Sequence, residues 1–190
     1  INGVVSSFSG SYVNNATGRV NNMKIATNSV NGTLLMPGEE FSYNKAIGET
    51  TPENGYQQAG AYVAGEVVQE YGGGVCNIST ILYRAAMRAN LKSSLRYNHS
   101  MMVSYAEPSL DATVYEGEID YRFVNTYDFP IYIEGYMTSN TIVFNIYGNK
   151  ESFGNNTYEL VNEVIEKLDY TTEYVNDNTL AEGSRVTTVN

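Results

Sequence analysis

Apolar residues recur at helical spacing in two stretches of the chain and at strand spacing over much of the rest. Val20, Met23, Ala26 or Thr27, and Val30 share one face of a helix that Asn31-Gly32 would close, because glycine readily takes the left-handed conformation of a helix end. Ile78, Ile81, Leu82, Ala85 and Ala89 follow at i, i+3, i+4, i+7 and i+11, one apolar stripe over residues 77–90 with Arg84 and Arg88 displaced from it. After Asn90 the pattern changes. Residues 94–97, 112–115, 118–125, 131–137 and 141–147 read as strands separated by Gly, Pro, Asn and Asp. Earlier in the chain, residues 4–8 read as a strand and residues 33–56 as turn-rich text with short strands. Residues 61–69 read as one strand that delivers the chain into three consecutive glycines. The expected fold is α+β, two main helices packed on a mainly antiparallel sheet, over residues 1–150. Beyond Gly148 the text becomes acidic and extended, with strands expected at 158–168 and 171–175, so residues 151–190 are set apart as a strand-rich tail.

A chain of 190 residues suffices for one ordinary domain and an extension. With 42% hydrophobic and 17% charged residues it can bury a sizeable core, and 17 tyrosines without a tryptophan fit strands with aromatic faces. The net charge of −10 is uneven: residues 1–150 hold 13 acidic and 9 basic side chains, residues 151–190 hold 8 and 2. Such a surface repels phosphates and anionic headgroups, so no nucleic acid is expected as a partner. Insertion into a membrane is not expected either, since no run approaches the roughly 20 apolar residues of a spanning helix. The chain begins at Ile1 without a methionine or an apolar leader, and the expectation is a soluble fragment cut from a longer protein. One cysteine cannot form an internal disulfide, and with one histidine beside it zinc is disfavoured; no metal and no cofactor is expected.

The chemistry concentrates at Gly72-Gly73-Gly74-Val75-Cys76, directly before the second helix. A thiol there feels the positive end of the helix dipole, behind a loop whose backbone N–H groups can hold an anion. The bland reading of a free cysteine is a buried hydrophobe. Against it stand the three glycines, which weaken folding unless the backbone needs them, and His99, the single imidazole available as a base. His99 lies 23 residues downstream, just past an expected strand, and its bland reading is a surface loop. Asp111 is the nearest acidic candidate to fix the ring's tautomer, with a turn-forming role before a strand as the alternative. Arg84 and Arg88 read as exposed helix residues, a substrate carboxylate being the alternative contact.

Several stretches together resemble the VanW-like domain family. They are Met36-Pro37-Gly38-Glu39-Glu40-Phe41-Ser42, the Gly72–Cys76 loop with Ile78-Ser79-Thr80-Ile81-Leu82-Tyr83, His99-Ser100 with Val103-Ser104-Tyr105, Asp111-Ala112-Thr113-Val114, and Asp128-Phe129-Pro130-Ile131-Tyr132-Ile133. The likeness runs in order from about Val5 to Tyr147. Leu180-Ala181-Glu182-Gly183 resembles the opening of the G5 modules that often follow such domains. The resemblance implies a role in the cell wall outside the cytoplasmic membrane of a Gram-positive bacterium. For members that keep the cysteine it implies L,D-transpeptidase activity, which makes 3-3 cross-links between peptidoglycan stem peptides from a tetrapeptide donor and an amine acceptor.

Carried over, the family's cysteine falls on Cys76 and its histidine on His99. This chain departs from the family's pattern at Asn77, where a glutamine is usual, and at Tyr97, where a second histidine is frequent. Backbone N–H groups at Gly73, Gly74, Val75 and Cys76, with Asn77 beside them, are the candidates for oxyanion and substrate contacts, worth about 3 kcal/mol per well-aimed donor. Two other readings fit the same residues: a cysteine peptidase or carboxypeptidase in which water resolves the thioester, and a non-catalytic wall-binding module in which Cys76 is packed.

Overall fold

Along the chain, β1 (Gly3–Ser11) leads to α1 (Thr17–Val30), the short strands β2 (Thr33–Leu35) and β3 (Glu40–Ser42), and the helical turn α2 (Tyr43–Ile47). A hairpin of β4 (Gln58–Val63) and β5 (Glu66–Tyr71) precedes α3 (Val75–Arg88). Then follow β6 (Lys92–Leu95), β7 (Arg122–Val124), β8 (Ile131–Met137), β9 (Thr141–Gly148) and α4 (Lys150–Phe153). The computed structural model describes residues 1–13, 16–63, 66–168, 172, 174–176 and 178–186, with the side chains of 62, 63 and 66 also outside the description.

Four strands form the main sheet in the order β1-β9-β8-β2, every neighbour antiparallel. β9 alternates buried and half-buried residues along its whole length, so Ile142, Phe144 and Ile146 face the core together with Ile131 and Ile133 of β8. α3 lies against β1 and β9, α1 against β8, and the two helices touch each other. Ile78, Ile81 and Leu82 of the α3 stripe are almost completely buried, each contributing about 1.5–3 kcal/mol by leaving water. A second sheet, β3-β7-β6, and the β4-β5 hairpin complete an α+β architecture. Among the described residues no helix is long and apolar enough to cross a membrane.

Several boundaries differ from the expectation. Residues 61–69 belong to two strands rather than one: β4 and β5 pair from Gln58↔Tyr71 to Val63↔Glu66, with residues 64 and 65 outside the description. Both halves carry strand-forming residues, and pairing with each other satisfies backbone groups that a lone strand would leave open. The strand expected at 112–115 is reduced to bridges, Tyr97↔Thr113 and Tyr115↔Ile119. Its backbone is engaged by α3 instead: Ser79 Oγ donates to the Ala112 carbonyl at 2.6 Å, the Ala112 N–H donates to Thr80 Oγ1 at 3.1 Å, and the Cys76 thiol donates to the Val114 carbonyl at 3.3 Å. The strand expected at 118–125 shortens to β7.

In the tail, residues 158–168 form no strand, and residues 171 and 173 of the strand expected at 171–175 lie outside the description. A strand needs a neighbouring backbone, whereas this segment is fastened by side chains. Tyr158 packs edge-on against buried Phe153, Glu159 pairs with Arg88 at 2.8 Å, and Asn162 donates to the Pro108 carbonyl at 3.1 Å. The domain's packing thus continues some ten residues past α4.

Candidate active site

The glycine loop is shaped by its neighbours. Gly72 and Gly74 have φ of 82° and 112°, values that side chains rarely adopt. Gly73 needs its missing Cβ for another reason, since that atom would lie 2.5 Å from the Ala59 carbonyl oxygen. Asn22, fully buried in α1, donates to the carbonyls of Gln57 at 2.8 Å and Gly73 at 3.1 Å while accepting from the Gln57 N–H at 2.8 Å. The Tyr43 hydroxyl donates to the Val75 carbonyl at 2.9 Å. The loop ends with Gly74 as the N-cap of α3, so Cys76 sits in that helix's first turn, where unpaired N–H groups leave a partial positive charge.

His99 and Asp111 are brought to this thiol. The His99 Nδ1 lies 2.5 Å from Asp111 Oδ2, and the same oxygen accepts the His99 backbone N–H at 2.7 Å. With Nδ1 occupied by the carboxylate, Nε2 is the nitrogen left for the thiol; the Tyr105 hydroxyl lies 3.3 Å from it. Burial pushes the Cys76 thiol up, but the His99 imidazole, the Val114 backbone and Thr113 outweigh it and hold the thiol below its ordinary value. Burial pushes the His99 imidazole down, but hydrogen bonds and charges from Asp111 and Cys76 raise it from 6.5 to about 9. Burial likewise pushes Asp111 up, and His99, through side chain and backbone, brings it below its ordinary value. The pairing therefore favours the ionised thiol and the charged ring that a carboxylate orients, the arrangement that activates a nucleophile.

The group opens into a cleft of about 1100 Å³ whose lining includes Gly72–Cys76, His99, Tyr105, Thr113–Ile119 and Arg19. Within the loop, the N–H groups of Val75 and Asn77 donate to the carbonyls of Gly72 and Gly74 at 3.1 Å, and that of Gly73 to Glu70 at 3.4 Å. Those of Gly74 and Cys76 have no backbone acceptor among the described residues, which makes them the N–H groups of the loop best able to serve a developing oxyanion. The Asn77 side chain is 4% exposed, reaches Met23 Sδ at 3.9 Å and does not line the cleft, so it is part of the core. Arg84 and Arg88 are also elsewhere, stacked on Phe8 and paired with Glu107 and Glu159. Among the described residues no three His, Cys, Asp or Glu side chains gather as a metal ion would require.

Arg96 escaped the sequence reading. It donates through Nε to the Asp111 carbonyl at 2.8 Å and through Nη2 to the Ser109 carbonyl, and its guanidinium lies 3.7 Å from Asp111 Oδ1. Ser109 has a φ of 67°, so Arg96 clamps a turn that serine would not readily hold. Ser79 and Thr80 were likewise given no role, although two polar residues adjoining an apolar helix stripe signal a bond to a neighbouring segment.

The family model described as VanW like protein matches residues 18–147. The chain is 34% identical over 131 residues to the uncharacterized protein YoaR of Bacillus subtilis (strain 168), covering 69% of this chain and 43% of that protein. It is 27% identical over 139 residues to the vancomycin B-type resistance protein VanW of Enterococcus faecalis (strain ATCC 700802 / V583), covering 70% of this chain and 50% of that protein. The chain thus spans half or less of the length of these curated relatives. No solved structure matches. With the family's model aligned over most of its length, the chain belongs to the VanW-like protein family.

Proposed function

We propose that this domain is a cysteine-dependent L,D-transpeptidase of peptidoglycan. The observation that carries the reading is that Cys76 and His99 line one open cleft with Asp111 bonded to the ring, the thiol held down and the imidazole up. The name of the Enterococcus relative, a vancomycin resistance protein, accords with a task in the cell wall. In this reading the Cys76 thiolate attacks the amide between the third residue of a stem tetrapeptide and its terminal D-Ala. The C–N bond breaks, the imidazolium of His99 protonates the departing amine, and a thioester remains on sulfur. An amine from a neighbouring stem then attacks the thioester, gives its proton to His99 and restores the thiolate, leaving a 3-3 cross-link. The N–H groups of Gly74 and Cys76 receive the oxyanion in both halves. The domain acts outside the cytoplasmic membrane, and residues 151–190 lead toward a further module whose start resembles G5.

Incubation with tetrapeptide-rich peptidoglycan followed by mass analysis of muropeptides tests the proposal. Dimers that form with the wild type and vanish with Cys76→Ala support it. Tripeptides in place of dimers would make the domain a carboxypeptidase, and unchanged material would leave a wall-binding role.

A further inference from the structure

The lining of the cleft holds one cationic group besides His99 among its described residues, and it is Arg19. The other charged lining residues are Glu70, Glu116 and Glu118, and Glu116 already accepts from the N–H and hydroxyl of Thr50 at 2.8 and 3.0 Å. Arg19 stands in the first turn of α1 and its stem passes over the glycine loop, its Cγ 3.0 Å from where a Cβ on Gly74 would be. Nη1 donates to the Gly60 carbonyl at 3.3 Å, which steadies the guanidinium. No carboxylate among the described residues lies within ion-pair distance of it, in contrast to Arg84, Arg88, Arg96 and Arg122. A guanidinium presents donors in a fork that matches a carboxylate, and acidic walls on the rest of the cleft discourage an anion from settling elsewhere.

We propose that Arg19 is the receptor for the free α-carboxylate of the donor peptide, so that the site accepts chains whose scissile amide is their last one. This rests on the transpeptidase reading and adds its specificity. The carboxylate lies one Cα beyond the scissile nitrogen, and Gly74, beneath the Arg19 stem, is two residues before the attacking sulfur. Breaking the C–N bond releases the terminal amino acid with its carboxylate still on Arg19 and its amine protonated by His99.

Binding separates this proposal from the activity. A synthetic stem tetrapeptide ending in D-Ala, as free acid and as C-terminal amide, is titrated into the Cys76→Ala protein, which binds without turnover. The acid should bind about 10- to 100-fold more tightly than the amide, the range for a hydrogen-bonded charge pair. Adding Arg19→Gln should bring that ratio near one, and Arg19→Lys should keep part of it, with melting curves showing all three proteins folded. In turnover, Arg19→Gln should raise KM with little change in kcat. A preference for the acid that survives Arg19→Gln, or an equal affinity for acid and amide in the Cys76→Ala protein, overturns the proposal and leaves the transpeptidase reading standing. Cross-linking that persists without Cys76 sinks that reading and this inference with it.

Discussion

Replacing Asp111 by asparagine isolates the charge that orients His99. The shape of the side chain is kept, and the amide oxygen can still accept the His99 backbone N–H, but the imidazolium loses its counter-charge. A rise from 6.5 to about 9 corresponds to about 3 kcal/mol in favour of the charged ring. Screening at the partly solvent-facing imidazole trims this to about 2 kcal/mol. Asp111 and Cys76 share that preference, so the carboxylate's part is about 1 to 1.5 kcal/mol, which passes to the thiol as a loss of about 5- to 12-fold in thiolate population at neutral pH. Alkylation of Cys76 by iodoacetamide, followed by intact mass from mildly acidic to alkaline pH, reads it directly. Both labelling rates should rise with pH, that of Asp111→Asn staying about 5- to 12-fold lower until the two converge in alkali. Equal neutral-pH rates in two proteins of equal melting temperature would reduce Asp111 to a turn former and refute the reasoning.

Stability should follow the histidine on the alkaline side. Its folded value of about 9 lies above 6.5, so the charged ring's contribution is complete below 6.5 and is lost as the pH rises through about 9. Because a lowered thiol gains stability as it ionises over the same interval, the comparison is made in Cys76→Ala. With the carboxylate's part of about 1 to 1.5 kcal/mol, its melting temperature should drop by about 2–6 °C, while Cys76→Ala/His99→Gln stays level; parallel declines would contradict this. Asn77→Leu is expected to stabilise the fold by about 1 kcal/mol in urea titration, because Asn77 Oδ1 is buried without a hydrogen-bond partner. Its Cys76 labelling rate should match the wild type, and a large fall would place Asn77 in the site after all.

The parts of this protein visible in the sequence are those built on local repetition. α3 and the β8–β9 hairpin follow from an apolar stripe and from alternation, and the structure reproduces residues 131–137 as β8. α1 is less marked, because its buried face includes Asn22 and Thr27, and Asn22 is there to hold the glycine loop. Residues 112–115 were misread for a related reason. Their composition is that of a strand, but the groups that satisfy their backbone are side chains of a helix more than thirty residues earlier. No local pattern records such a bond. Cys76 and His99 stand out as candidates in the sequence because each residue type occurs once, and both line the same cleft. Arg96 and Arg19 were not legible, since the chain has several arginines and only the fold separates those paired on the surface from one that clamps a turn and one that enters the cleft.

The same bonds explain how groups from three segments stay in register. Cys76 and the residues Ser79 and Thr80 lie on one helix, and the latter two hold Ala112, the residue directly after Asp111. Any tilt of α3 therefore carries the carboxylate with the sulfur. Asp111 in turn holds both the ring and the backbone N–H of His99, so the imidazole follows the carboxylate. Arg96 closes the loop by fastening Ser109 and Asp111 to the strand-end segment that leads into His99. The separation of sulfur and imidazole is thus set through a closed chain of short contacts, and every link except the Arg96–Ser109 bond is at least partly shielded from water. A thiol held this way keeps its geometry when the cleft is open, which the proposed reaction, releasing one product before admitting an amine, would require.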